Sequence, residues 1–152
     1  MDYSSDRIIG IASDHAGYEL KELLVAYLLA KDYEVINYGT NSDSSCDYPD
    51  FAHPLAADVN SGKLFRGITI CGSGNGISMV VNKYPKVRAA LCWNTEIVKL
   101  ARSHNDANIC SLPARFIQEN EAIDIIKDFL STPFEGGRHI ARVNKIPIHN
   151  TI

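Results

Sequence analysis

The sequence predicts an α/β fold, with five strands in one parallel sheet and helices packed on both faces. Three observations lead there. Short apolar runs with β-branched members recur along the chain, bounded by glycine or polar residues. Each run is followed by apolar residues at helical spacing, the alternation that builds parallel sheets. The third observation is the stretch Arg66–Asn82, in which a strand pattern meets a glycine-rich turn and then a helix.

The elements follow in order. Ile8–Ala12 is a continuous apolar run, the mark of a strand covered on both faces. After Ser13-Asp14-His15-Ala16-Gly17, the segment Tyr18–Lys31 places Leu20, Leu23, Leu24, Tyr27 and Leu28 on one helical face. Glu34–Tyr38 is the second strand. A polar loop, Gly39–Pro49, precedes a helix over Phe51–Val59, and Cys46 in that loop has no evident role. Gly67–Ile70 is the central strand, followed by Cys71, the turn and a helix from about Gly76. Val87–Trp93 and Ala107–Leu112 are the remaining strands, and Thr95–Ser103 and Asn120–Leu130 the remaining long helices. Pro133–Gly137 breaks the chain before a short helix over Arg138–Lys145. The pattern is that of a single Rossmann-like, three-layer α/β/α domain over residues 1–152, in which 133–152 form a C-terminal arm expected to contact a partner subunit.

Composition narrows the function. With 152 residues the chain can bury one substantial core. A net charge of −3 without a run of like charges argues against nucleic acid or an anionic membrane as partner. The four cysteines form no CxxC pair, so neither zinc nor a disulfide framework is suggested. The N-terminal MDYSSDR is polar and unlike a targeting peptide, and no apolar run reaches the roughly 20 residues of a membrane span. The expectation is a cytoplasmic protein.

Candidate site residues gather where the strands end. Gly72, Gly74 and Gly76 allow the turn after Cys71 to aim several N–H groups at one point, a cradle for an anion or an oxyanion. A thiol at such a rim can serve as a base or nucleophile, although a packed strand-end cysteine has the same appearance. Asp14 precedes a helix and could simply cap it, whereas His15 in a first turn opposes the helix dipole. His104, beside Asn105 and Asp106, closes its helix, where an imidazole is an ordinary stabilising choice. Arg138 and Arg142 lie four apart on one helical face and could equally be solubilising.

Together the motifs are more specific. SDHAG at Ser13–Gly17, DYPDFA at Asp47–Ala52, CGSGNGIS at Cys71–Ser78, Asn82-Lys83, HNDAN at His104–Asn108 and EGGRHIARV at Glu135–Val143 occur in this order. The set resembles the type B ribose-5-phosphate isomerases, whose family also holds the galactose-6-phosphate isomerase subunits, from about Ile8 to Ile146. The resemblance implies aldose–ketose interconversion of ribose 5-phosphate and ribulose 5-phosphate through an enediolate, without metal or coenzyme. It implies that Cys71 is the base. One branch of the family carries a glutamate base at the position of Ile77, which cannot serve here. The backbone of Gly72, Ser73, Gly74, Asn75 and Gly76 would hold the enediolate oxygen, with the Ser73 hydroxyl assisting. His104 would open the furanose ring with Asp14 as counterpart. Asn105 and Tyr48 would contact the sugar, and His15, Arg115, Arg138 and Arg142 the phosphate.

Topology adds one expectation. The helix ending at His104 starts at the C-terminal edge of the sheet and runs back, so His104 should lie far from Cys71 of its own subunit. A homodimer with composite active sites follows, with a tetramer also open. Galactose-, allose- and tetrose-phosphate isomerases, and a non-catalytic sugar-phosphate sensor, are the alternatives. The galactose enzyme divides its work between two different subunits, whereas this chain carries base, cradle, His104 and arginines together.

Overall fold

A computed structural model describes residues 5–148; the last four residues of the expected C-terminal arm lie outside the described residues. The strands are β1 (Ile8–Ser13), β2 (Glu34–Asn37), β3 (Arg66–Cys71), β4 (Ala89–Leu91) and β5 (Ile109–Pro113). They form one five-stranded sheet in the order β2-β1-β3-β5-β4, and all four pairings are parallel. The helices are α1 (Tyr18–Ala30), α2 (Tyr48–Ser61), α3 (Asn75–Val81), α4 (Thr95–Asn105), α5 (Glu119–Ser131) and α6 (Arg138–Val143).

The three layers follow from where the apolar faces go. Leu20, Leu24 and Leu28 of α1, Val98 of α4, and Ala122, Ile125, Ile126 and Phe129 of α5 form one buried cluster with Ile9, Ile11, Ile68 and Ile70 of the sheet. Ala52, Leu55, Ala56 and Val59 of α2 and Ile77 and Val81 of α3 make the second cluster, with Ala12, Cys71 and Ile109. The sheet is therefore covered on both faces, which is why β1, β3 and β5 are buried along almost their whole length, the hydroxyls of Thr69 and Ser111 bonding each other across β3 and β5. Chain direction across the sheet accounts for the assignment. Connections stepping toward β2, and from β4 back to β5, carry α1 and α4 on one face. Those stepping the other way carry α2 and α3 on the opposite face, as a constant crossover hand requires. The chain reverses direction between β1 and β3, and in such sheets that junction is where ligands bind.

Three boundaries differ from the sequence expectation in ways that matter for function. Helix α2 starts at Tyr48, because Pro49 suits a first turn where no N–H is needed, so Tyr48 opens the helix rather than closing the loop. Helix α4 continues through His104 and Asn105 and ends at Asp106, which takes the left-handed conformation at φ 48°. Strand β4 is only three residues long, since it pairs with β5 alone. On its outer edge the Asn82 side chain accepts from Ala89 N–H at 2.9 Å and donates to Ala89 C=O at 3.0 Å, occupying the backbone groups that a further strand would use. Among the described residues no helix is long and apolar enough to cross a membrane.

Candidate active site

Strands β1 and β3 end side by side, with Ser13 in register with Ile70, and the Asp14 N–H donates to Ile70 C=O at 3.2 Å. That register sets Asp14 beside Cys71 at the topological switch point. Asp14 is buried, and one of its carboxylate oxygens accepts the Gly17 N–H at 3.1 Å, so the capping reading of this residue is correct. Capping one N–H leaves the rest of the carboxylate for other partners. Gly17 is held tightly here: a Cβ on it would come within 2.7 Å of Ile70 Cγ2 and 2.8 Å of Ile70 O.

The glycine turn is shaped by what presses on it. Gly74 has φ 73°, and a Cβ there would fall 2.4 Å from Leu91 Cδ1. Its N–H donates to Cys71 Sγ at 3.1 Å, so the sulfur is an acceptor within the turn. A Cβ on Gly72 would sit 3.2 Å from Arg115 Nη1, because the arginine side chain runs across that face of the turn. Arg115 is anchored there by its own N–H, which donates to Gly72 C=O at 3.0 Å. A Cβ on Gly76 would meet the Tyr48 ring at 2.5–3.0 Å.

These groups enclose a cavity of about 520 Å³, lined by Asp14, His15, Tyr48, Cys71, Ser73 and Arg115 among others. Such a volume suits a small polar ligand. The Cys46 N–H donates to His15 Nδ1 at 3.2 Å, which leaves the proton of a neutral His15 ring on Nε2. Cys46 therefore has a structural part that its sequence position does not suggest. Asn75 is displaced from the expected set, lining a neighbouring smaller cavity with Trp93 and Phe116.

The other expected residues lie elsewhere. His104 and Asn105 end α4, just before the start of β5, and Asn108 N–H bonds Arg88 C=O at the start of β4. They sit at the N-terminal edge of the sheet, whereas Cys71 is the last residue of β3 and pairs with Pro113, the last of β5. The length of β5, on the order of 13 Å, separates the two edges. Arg138 and Arg142 on α6 belong with His104, since α6 packs on the end of α4. The sequence set thus divides into two groups on opposite edges of one chain, as the direction of α4 predicts.

Beside His104 the structure places two groups to which the sequence assigned no role. His139 of α6 is buried and its ring stacks on that of His104, with centroids 4.2 Å apart and planes inclined by 13°. Glu135 Oε2 lies 3.9 Å from His104 Nε2 and 3.7 Å from His139 Nε2. Burial holds the His139 pKa below the ordinary imidazole value, and charge on His104, Arg138 and Arg142 acts in the same direction while Glu135 opposes. Both residues fall within the EGGRHIARV segment, four apart on what becomes the approach to α6, which was the available signal.

A larger cavity of about 640 Å³ at the N-terminal edge is lined by Arg66, Arg88 and Arg102. Its arginines are committed to structure: Arg66 donates to the Phe129 and Leu130 carbonyls, and Arg88 and Arg102 both engage Asp106.

The fold defines an α/β protein whose switch point carries a glycine-rich turn and a pocket lined by a thiol, a carboxylate, an imidazole and a guanidinium. The ribose/galactose isomerase family model matches residues 9–146, and the chain belongs to that family. It is 45% identical over 139 residues to a probable ribose-5-phosphate isomerase B of Mycoplasma pneumoniae, covering 91% of each chain. Among solved structures it is similar to a ribose 5-phosphate isomerase of Thermotoga maritima, with TM-score 0.90 and 49% identity over 92% of this chain and 97% of that one. It is also similar to the ribose-5-phosphate isomerase B of Mycoplasma genitalium with bound ribulose-5-phosphate, with TM-score 0.88 and 43% identity over 91% of this chain and 93% of that one.

Proposed function

We propose that this protein interconverts D-ribose 5-phosphate and D-ribulose 5-phosphate through a cis-enediolate, the isomerisation of the non-oxidative pentose phosphate pathway, with Cys71 as the base. The observation that carries the reading is the Cys71 turn itself: a thiol sulfur within a glycine cradle, beside Asp14, His15 and Arg115. Moving a proton between C1 and C2 needs one base that reaches both carbons, and donors for the oxygen that becomes negative. Cys71 Sγ takes the proton from one carbon while the C–H electron pair enters the enediolate, then returns it to the other. Gly74 N–H is taken by Cys71 Sγ and Asn75 N–H by Ser73 Oγ, so the oxyanion is left to the other amides of Gly72–Gly76 and to the Ser73 hydroxyl, which can still donate. His15 Nε2–H and the Arg115 guanidinium hold the phosphate, for which a planar fork of donors is well suited. Tyr48 packs over Gly76 and closes one side of the sugar site.

Ring opening of the furanose belongs to His104 with Asp14, and further phosphate contacts to Arg138 and Arg142. Since His104, Arg138 and Arg142 lie at the opposite edge from Cys71 and Asp14, the complete site requires a second copy of the chain whose His104 edge meets the Cys71 edge of the first. Exposed apolar side chains on both edges support such an assembly: Trp93 and Phe116 near the cradle, Leu100 and Ile140 on α4 and α6. The four free cysteines suit a reducing cytoplasm.

The test mixes Cys71→Ala and His104→Ala subunits, each inactive alone. Exchange of subunits regenerates one intact site per mixed dimer, so activity reappears at about a quarter of wild type, half the dimers being mixed and each holding one of two sites. Complete absence of recovery after verified subunit exchange would refute the composite site.

A further inference from the structure

The loop between β2 and α2 begins and ends beside the tip of β1. Its first residues extend the pairing of β1 with β2. Tyr38 N–H donates to Ile11 C=O at 2.9 Å, Ser13 N–H to Gly39 C=O at 2.7 Å, and Thr40 N–H to Ser13 C=O at 2.7 Å. Residues 41–45 then run exposed, and the half-buried Cys46 brings the chain back to His15, two residues beyond Ser13. With Tyr48 already in the first turn of α2, the Cys46 amide is held from both sides.

The contact is made by backbone rather than by the thiol. Cys46 N–H donates to His15 Nδ1 at 3.2 Å, whereas Cys46 Sγ lies 4.0 Å from the same nitrogen. An unprotonated imidazole nitrogen offers one in-plane lone pair, and the amide takes it. Ring plane and tautomer are therefore set together: Nδ1 accepts and Nε2 carries the proton. Without the amide, the proton can sit on either nitrogen and the ring can turn about its side-chain torsions. With the proton on Nδ1, Nε2 would present a lone pair where an anion needs a donor. His15 shares its cavity with Arg115, so the difference falls on the side where an anion would enter.

We infer that Cys46 is a positioning residue for phosphate binding, acting through its backbone N–H, which occupies His15 Nδ1 and so fixes the ring with Nε2–H as the donor to the phosphate. This rests on the reading that His15 holds the substrate phosphate. The logic is that of the outer partners that orient a metal-ligating histidine by occupying its second nitrogen. The device makes little demand on residue type, because every residue except proline supplies the N–H. It makes a strong demand on the path of the loop, which the paired bonds at Ser13 provide.

The experiment compares Cys46→Pro with Cys46→Ala, since both lack the thiol and only alanine keeps the N–H. Inorganic phosphate is the probe, read as its inhibition constant against ribose 5-phosphate, with KM and kcat measured alongside. Relative to Cys46→Ala, Cys46→Pro is expected to raise the phosphate inhibition constant and KM about fivefold or more, with kcat held within about threefold. In a His15→Ala background the same proline step should change the inhibition constant by less than about twofold, because the group it positions is gone. A rise below about fivefold, or an equal rise in both backgrounds, would overturn the inference. Should Cys46→Pro fail to fold, the wild-type protein decides. Nitrogen NMR with isotopically labelled histidine, at about pH 8.5 and so above the ordinary imidazole range, reports which ring nitrogen carries the proton. The signals missing from His15→Ala are expected to show it on Nε2, and a proton on Nδ1 would equally overturn the inference. His15→Ala alone tests the underlying reading: unchanged KM and phosphate inhibition would end the phosphate role of His15, whatever its tautomer.

Discussion

Gly76 and Tyr48 give a sharp test of how the cradle is built, because the same substitution should change sign with its neighbour. Gly76 is the second residue of α3, and its φ is not among the positive values, so its backbone suits alanine. On backbone grounds Gly76→Ala should stabilise by roughly 0.5–1 kcal/mol. In the native protein, however, the new methyl would lie 2.5 Å from Tyr48 Cζ and 2.6 Å from its hydroxyl. The tyrosine must rotate away, and overpacking of this kind costs about 1–3 kcal/mol, toward the low end where a side chain can yield. The net expectation is destabilisation of up to about 2 kcal/mol in wild type, and stabilisation of about 0.5 kcal/mol in a Tyr48→Ala background. The assay is urea unfolding of the four proteins of the cycle, at one fixed protein concentration because an oligomer's stability depends on it. A coupling of about 1–2 kcal/mol supports the packing. Equal effects in the two backgrounds, within about 0.5 kcal/mol, would show that Tyr48 does not rest on Gly76 and that this wall of the sugar site is wrongly placed.

Other consequences can be checked with single variants. Arg102 is buried and donates to Asp106 Oδ1 at 2.9 Å, Ala107 C=O at 2.6 Å and Thr132 C=O at 3.2 Å, so Arg102→Met should cost about 3 kcal/mol or more in denaturant unfolding; a loss under about 1 kcal/mol would contradict that role. Ser13 Oγ is buried without a hydrogen-bond partner among the described residues, so Ser13→Ala should leave stability unchanged or raise it slightly, and a loss above about 1 kcal/mol would reveal a partner in solution. His139 carries a pH signature. Its folded pKa lies below the ordinary 6.5, so below that pH the unfolded chain binds a proton that the folded chain resists, and stability falls as pH drops through the window just under 6.5. His139→Phe should flatten that part of the stability–pH curve, and an unchanged curve would count against the depressed pKa.

Much of this was legible in the sequence because local patterns and global fold agree. The continuous apolar run at Ile8–Ala12 marks β1 as a strand covered on both faces, short apolar runs mark β3 and β5, and glycines at 72, 74 and 76 mark the turn. The direction of α4 was enough to set His104 apart from Cys71. What the sequence did not convey depended on contacts between distant segments. Cys46 looked incidental because its bond to His15 spans 31 residues and uses a backbone N–H, which no residue type signals. The His104–His139 stack depends on the turn at Gly136-Gly137 and on one backbone bond to Ser103, and periodicity is blind to both. Tyr48-Pro49 reads as the close of the polar loop, whereas in a first helical turn proline is tolerated and Tyr48 opens α2.

The most direct test of the central claim is conversion of ribose 5-phosphate to ribulose 5-phosphate by purified protein with chelator present, wild type beside Cys71→Ala. Conversion by the wild type and its near-complete loss in the folded variant are the predicted result, establishing both the reaction and its thiol base. Full activity in Cys71→Ala would contradict the mechanism, and no conversion by folded wild type would contradict the substrate.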